Sequence, residues 1–322
     1  MTEAVNKEEA PGIRPEPRLP LHAFPPPMII APQKQPHRHT IILLHGRGSS
    51  ARIFAPALLS VLLDNPIAPP GRKTFQDLLP HARFVFPTAP RSRATVYRRS
   101  IINQWYDGSG DWEETLLGNA RETVLFIHSL IEDEAVQVGG TDRVVLGGFS
   151  QGCAAALLCL LLWRSKPIGG LLGMCGMLPM AGVMSEVMME RSRQVDERHQ
   201  NPPEYSDDDL FEHPHDHSTT SWDGVQAKHN PVEQALRLLG EEIGLSVPKL
   251  ATRLSLQETP VFLGHGTADD NVSLQDGQEA SRVLQTMGFD IDFKTYDGLG
   301  HCYSKDMLKD MIEFLRNRAP GS

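Results

Sequence analysis

An α/β fold, with a mostly parallel sheet and helices on both faces, is what this sequence predicts. Three observations lead there. Short apolar, β-branched runs alternate along the chain with helical repeats of apolar residues, the order that builds a parallel sheet. Several of those runs end directly in Gly-rich or His-Gly turns, at His45-Gly46, His265-Gly266 and Asp297-Gly298. The run Val144–Phe149 leads through Gly148-Phe149-Ser150-Gln151-Gly152 into Ala154-Ala155-Ala156-Leu157, so strand, sharp turn and helix follow one another at once.

Taken in order, residues 1–27 are polar and Pro-rich, closing on Pro25-Pro26-Pro27, and read as a disordered tail. A single domain is expected over 28–320. Met28–Ala31 suits a short edge strand and Thr40–Leu44 a buried one. A helix follows over Ile53–Leu63, then a strand over Ala82–Phe86. The segment Arg91–Ile102 reads as a loop carrying Arg91, Arg93, Arg98 and Arg99. Leu117, Ala120, Val124, Ile127, Leu130 and Ile131 fall on one face of a helix expected over 113–134. The strand at 144–149 and a helix over 154–163 come next, then a strand over 168–174.

The stretch from about 183 to 231 is different. Val183–Glu233 holds twelve Asp or Glu against four Arg or Lys, nearly the whole net charge of −9, and five of the 13 His. It is expected to be an acidic insertion, helical over 183–195 and disordered over 197–228. A helix over 232–243, a strand over 260–264, a helix over 274–287, a strand over 291–296 and a closing helix over 303–318 complete the chain.

Composition narrows the function. Of 322 residues 40% are hydrophobic, enough for a substantial core. The net charge of −9 speaks against nucleic acid and anionic membrane as partners. Without a run of 18 apolar residues no membrane span is expected, and Thr2 in place of Gly gives no myristoylation signal. The first twenty residues lack a basic start and an apolar core, so a cytoplasmic location is expected. Cys153, Cys159, Cys175 and Cys302 form no C-x-x-C pair and read as reduced thiols.

The turn around Ser150 carries the chemistry. Small residues at 148 and 152 let a strand and a helix meet at a strained turn that lifts the serine hydroxyl above the sheet edge. The N–H of Gln151 and the positive end of the new helix then face a reacting oxygen. A serine hydroxyl needs a base, and the base a carboxylate to set its tautomer. Each must hang from the carboxyl end of a different strand. The chain offers Asp269 or Asp270 after one strand and His301 after the last. His265 is a rival base, though it precedes the carboxylate loop. The His45-Gly46-Arg47-Gly48 turn suits a second oxyanion donor, the Arg47 N–H. Trp105 and Tyr106 are candidates for lining the acyl side, or for core packing.

His45-Gly-Arg-Gly, Trp105-Tyr-Asp, Gly148-Phe-Ser-Gln-Gly, His265-Gly-Thr-Ala-Asp-Asp-Asn-Val and Gly300-His301 together resemble the phospholipase/carboxylesterase family, which includes acyl-protein thioesterases and lysophospholipase-like carboxylesterases. The resemblance covers about Thr40–Leu315, the acidic insertion apart. It implies an α/β-hydrolase fold with Ser150 as nucleophile, Asp269 as orienter, His301 as base, and the Arg47 and Gln151 N–H groups as oxyanion hole. No cofactor or metal is implied. The substrate implied is a small-molecule ester or an acylated protein. Two departures stand out. Arg47 and Ser49 occupy places where the family usually has Leu and Asp, and four arginines stand in a loop that is often apolar in its thioesterases. A short-chain carboxylesterase and a catalytically idle binding protein are the alternatives.

Two further motifs stand outside this constellation. Glu212-His213-Pro214-His215-Asp216-His217 is one residue short of a metal-hydrolase spacing and reads as no metal site. Met174, Met177, Met180, Met184, Met188 and Met189 read as packing or, in part, as a lid over the pocket.

Overall fold

All seven expected strands become neighbours in one sheet. The computed structural model describes residues 21–64, 72–108, 116–200, 230–246 and 255–318. Its main strands are β1 (Met28–Ile30), β2 (His39–Leu44), β3 (Ala82–Phe86), β4 (Val144–Phe149), β5 (Gly170–Met174), β6 (Val261–Gly266) and β7 (Ile291–Tyr296). Their spatial order is β1-β3-β2-β4-β5-β6-β7. Only β1 runs antiparallel, against β3; every other pair is parallel. The central strands are buried on both faces, which is why they read as unbroken apolar runs instead of alternating ones.

Helices cover the two faces unequally. On one lie α2 (Ala120–Val138), α3 (Gln151–Leu161), α4 (Ala181–Gln200), α5 (Pro231–Glu242) and α6 (Leu274–Thr286). On the other lie α1 (Ala51–Leu59) and α7 (Lys305–Arg318). The strand pleat divides the core accordingly. Ile42, Leu44 and Leu146 pack toward the first group, Ile41, Leu43 and Val145 toward the second. Every residue of α3 is buried, so the helix that leaves the Ser150 turn is held on all sides.

Four expectations are corrected. The helix expected from 113 begins at Ala120, because Asn119 adopts a left-handed conformation and Leu116–Gly118 pairs with Asp107–Gly108. It continues to Val138, where Gly139 ends it with φ 84°. The arginine segment is a hairpin, Arg91–Ala94 against Ser100–Asn103, with Arg98 and Arg99 at positive φ in its turn. The tail is ordered in its last residues: Phe24 stacks on Phe126 at 4.2 Å, and the His22 ring meets the Asn119 side chain at 2.8 Å.

The acidic segment supplies the fourth. Helix α4 runs through Gln200, past the point where disorder was expected, and Met184 and Met188 are buried in the core against α5 and α6. The start of this segment is therefore part of the domain. Methionine, unbranched and polarizable, fills that irregular gap. The rest of the stretch expected to be disordered, 201–228, lies outside the described residues, as do the His213–His217 motif and the first twenty residues. Among the described residues no helix is long and apolar enough to cross a membrane.

Candidate active site

Four strand ends converge on one place. Strand β4 ends at Phe149, and Ser150 takes φ 55°, ψ −124° before α3 begins. Only a tight crossing permits this. A Cβ on Gly148 would lie 2.3 Å from the Gly152 backbone, and one on Gly152 would lie 2.3 Å from the Leu44 carbonyl oxygen. The strained serine is held by its own N–H, which donates to the Met174 carbonyl at the end of β5 (2.9 Å).

The loop after β7 brings His301 to Ser150, with Nε2 2.9 Å from the Oγ. Its Nδ1 lies 2.8 and 3.0 Å from the two carboxylate oxygens of Asp269, in the loop after β6. A carboxylate can only accept, so Nδ1 carries the proton and Nε2 is left to accept from the serine hydroxyl. The Asp269 side chain is fully buried, whereas His301 keeps 14% of its side chain exposed. Asp269 Oδ1 also accepts the N–H groups of Asn271 and Val272, each at 3.0 Å, which keeps the charge satisfied out of water. Asp270 is exposed and lies on the cleft wall, in contact with neither histidine nor serine in the described hydrogen bonds. The two adjacent carboxylates are thereby told apart.

His265 sits behind this chain. Its Nε2 donates to the Val272 carbonyl (2.9 Å) and is 3.5 Å from Asp269 Oδ2. It abuts the loop that holds Asp269 and does not meet Ser150. His45, at the end of β2, has a settled tautomer. Ala89 N–H donates to Nε2 (3.0 Å), so Nδ1–H donates to the Gly46 carbonyl (2.7 Å). Burial pushes the His45 pKa down to about 4, keeping the ring neutral. The Gly46 carbonyl also accepts Ser49 N–H at 3.1 Å. In a trans peptide the following N–H points away from its carbonyl. The Arg47 N–H therefore points away from the His45 ring and the turn, at a place where Gly46 borders Ser150.

The two aromatic candidates separate. Tyr106 reaches the cleft wall. Both are fully buried, but Trp105 lines none of the cleft and works as a bolt instead. Its indole N–H donates to the His45 carbonyl (2.7 Å), its backbone N–H donates to Gln151 Oε1 (3.1 Å), and its carbonyl accepts from the Thr123 hydroxyl. Gln151 completes the clamp by donating from Nε2 to the Tyr106 carbonyl (2.8 Å). Sequence reasoning chose Gln151 for its backbone and missed the work of its side chain. It also gave no role to Asn103, whose side-chain amide donates to the Ser49 carbonyl (2.8 Å), since a single Asn in a loop carries no periodic signal.

Above the serine lies an open cleft of about 1260 Å³. Phe54, Phe149 and Tyr303 form an apolar wall, and Val96 and Tyr97 of the arginine hairpin stand at its edge. The residues from Asp270 to Arg282, with the start of α6, form a polar wall opposite in character. Among the methionines singled out, only Met177 reaches the cleft. Cys153 and Cys175 take no part in this chemistry: burial pushes both thiols up to about 12, so both stay protonated. Among the described residues no group of three or more His, Cys, Asp or Glu is placed to hold a metal.

A serine, a histidine and a buried carboxylate linked in this order, on an α/β-hydrolase sheet, can abstract and return one proton. A model of the phospholipase/carboxylesterase family matches residues 26–199 and 244–318. The chain belongs to this family. Within it, the chain is similar to acyl-protein thioesterase 1 of Yarrowia lipolytica, at 24% identity over 300 residues that cover 90% of this chain and 96% of that one. Carboxylesterase SOBER1 of Arabidopsis thaliana is 23% identical over 294 residues, 88% of this chain and 92% of that one. The crystal structure of Zea mays acyl-protein thioesterase 2 shares the fold, with a TM-score of 0.57 at 19% identity over 91% of this chain and 98% of that one. The family match omits 200–243, which takes in most of the acidic stretch and α5.

Proposed function

We propose that the protein is a serine hydrolase that cleaves carboxylic esters or thioesters through an acyl-enzyme. The observation that carries this reading is the unbroken chain Ser150 Oγ, His301 Nε2, His301 Nδ1, Asp269, with both links under 3 Å. Ser150 attacks the carbonyl carbon while His301 Nε2 takes its proton. The resulting imidazolium is stabilised by the buried Asp269 carboxylate. The Arg47 and Gln151 N–H groups hold the oxyanion, each worth on the order of 3 kcal/mol of barrier. His301 then returns the proton to the departing alkoxide or thiolate. A water, deprotonated by His301, attacks the acyl-enzyme and frees the acid and Ser150. No metal or cofactor enters the sequence of steps.

The acyl chain is assigned to the apolar wall of Phe54, Phe149 and Tyr303, and the leaving group to the polar wall at 270–282. Substrates of this form are small esters and acylated proteins, and the likeness to acyl-protein thioesterases and carboxylesterases supports both. The unpaired thiols, three of them buried, support a reducing compartment and so the cytoplasm. The test is an acyl-length series of p-nitrophenyl esters and matched thioesters on wild type and Ser150→Ala. Turnover lost in the variant is expected. Full activity in Ser150→Ala refutes the nucleophile. A preference for long thioesters marks a protein deacylase, and activity confined to chains up to about six carbons marks a short-chain carboxylesterase.

A further inference from the structure

The loop that carries the Arg47 N–H is fastened at its far end by one residue from outside it. Asn103, the last residue of the arginine hairpin, bonds it twice. Its carbonyl accepts Gly48 N–H (2.8 Å), and its side-chain amide donates to the Ser49 carbonyl (2.8 Å). At the near end the His45 ring and the Ser49 N–H hold the Gly46 carbonyl. Arg47 lies between these two anchorages. A peptide plane set from both sides cannot rotate without breaking a bond on one of them.

The hairpin is itself braced. Gln104 donates to Ser92 Oγ (2.8 Å) and to the Arg93 carbonyl (3.2 Å), and Asp107 accepts from the Thr95 N–H (2.9 Å) and hydroxyl (2.7 Å). Its tip, Val96 and Tyr97, stands at the cleft edge. Cleft wall and oxyanion loop thus form one mechanical unit, joined at Asn103.

We infer that Asn103 is a positioning residue, which sets the Arg47 N–H for the oxyanion and ties that donor to the hairpin that borders the substrate. This rests on the serine-hydrolase reading above. The side chain touches no substrate. It acts by fixing the Ser49 end of the loop, so its loss is felt when charge develops on the oxygen and not when substrate binds.

The experiment compares wild type with Asn103→Asp, Asn103→Ala and Asn103→His. The aspartate is isosteric but turns a donor into an acceptor facing the Ser49 carbonyl. The histidine can place an Nδ1–H where the amide was. Each is assayed with a p-nitrophenyl ester for kcat and KM, and with an alkyl boronic acid, which binds as the tetrahedral adduct, for Ki. Melting temperatures are taken alongside, and assays are run well below them.

For Asp and Ala, kcat is expected to fall about tenfold to a hundredfold, less than the loss of a whole donor. KM stays within about twofold and the boronic acid Ki rises by the same factor as kcat falls, because only the tetrahedral state uses the donor. His recovers part of both. A Ki unchanged in the Asp and Ala variants overturns the inference, as does a rise in KM at constant kcat, whatever the melting temperatures. If Asp and Ala fail to fold, an Asn103→His protein with wild-type kcat, KM and Ki supports a donor at this place, and one with a raised KM alone overturns it. A wild type that turns over no ester, with Ser150→Ala equally silent, overturns the parent reading and this one together.

Discussion

Replacing Asp269 by Asn tests the geometry at its most buried point. The carboxylate lies 2.8 Å from His301 Nδ1 and is fully buried. In the transition state the imidazolium and carboxylate charges are about 4 Å apart, worth about 4 kcal/mol at an effective dielectric constant near 20. The amide removes that attraction. It still accepts the Asn271 and Val272 N–H groups through Oδ1, so its NH₂ turns toward His301. Facing a donor, the ring must present an unprotonated Nδ1 and carry its proton on Nε2, where it cannot take one from Ser150. The tautomer adds a further kcal/mol or so, for a total near 5 kcal/mol and a fall in kcat approaching 10⁴-fold. The assay is kcat on a p-nitrophenyl ester at pH 8, with Asp270→Asn as its companion. Because the two backbone bonds survive, melting is expected to move by only a few degrees. A kcat within tenfold of wild type in Asp269→Asn, or a larger loss in Asp270→Asn, would refute the assignment of the carboxylate.

Three further outcomes follow from burial and packing. Gly152→Ala places a Cβ 2.3 Å from the Leu44 carbonyl oxygen and is expected to destabilise by about 3 kcal/mol or more, read as a lower urea midpoint; an unchanged midpoint contradicts the close crossing. Met184→Ala empties a fully buried site on α4 and should cost about 2–4 kcal/mol, whereas a helix lying on the surface as an insertion would lose almost nothing. The His45 pKa is pushed from 6.5 down to about 4. Between those values the unfolded chain binds the proton that the folded one refuses, so stability falls as pH drops from about 6.5 to 4. The His45 contribution is about 3 kcal/mol. Urea midpoints taken at half-unit steps should show that decline, and His45→Asn should reduce it; a flat wild-type curve over the window contradicts a buried neutral ring.

The part of this protein that is legible along the chain is local in kind. Strands buried on both faces announce themselves as short apolar runs, and β2 to β6 were legible for that reason, whereas β7, at the sheet edge, is half-buried and alternates apolar with polar residues. The Gly148–Gly152 turn was legible because so few residues tolerate a crossing that leaves 2.3 Å for a Cβ. Parallel connection then sends each strand's carboxyl end to one edge of the sheet, which is why Ser150, Asp269 or Asp270, and His301 could be put forward from their places after strands. Tertiary structure alone decided the rest. It placed Asp269 against His301, buried under two backbone N–H groups, and left Asp270 in the cleft. It moved the start of α2 to Ala120 through a left-handed Asn119 and a short strand pair whose partner lies in a separate segment. It turned Trp105 into a bolt, since its three partners, His45, Gln151 and Thr123, come from 18 to 60 residues away. Met184 and Met188 joined the core within a stretch whose mean charge is that of solvent-exposed chain, because burial is set one side chain at a time by the neighbouring helices. Apolar periodicity and strand ends are written along the chain. A hydrogen bond between a loop and a side chain a hundred residues away is written only in three dimensions, because its donor and acceptor leave no pattern in either segment alone.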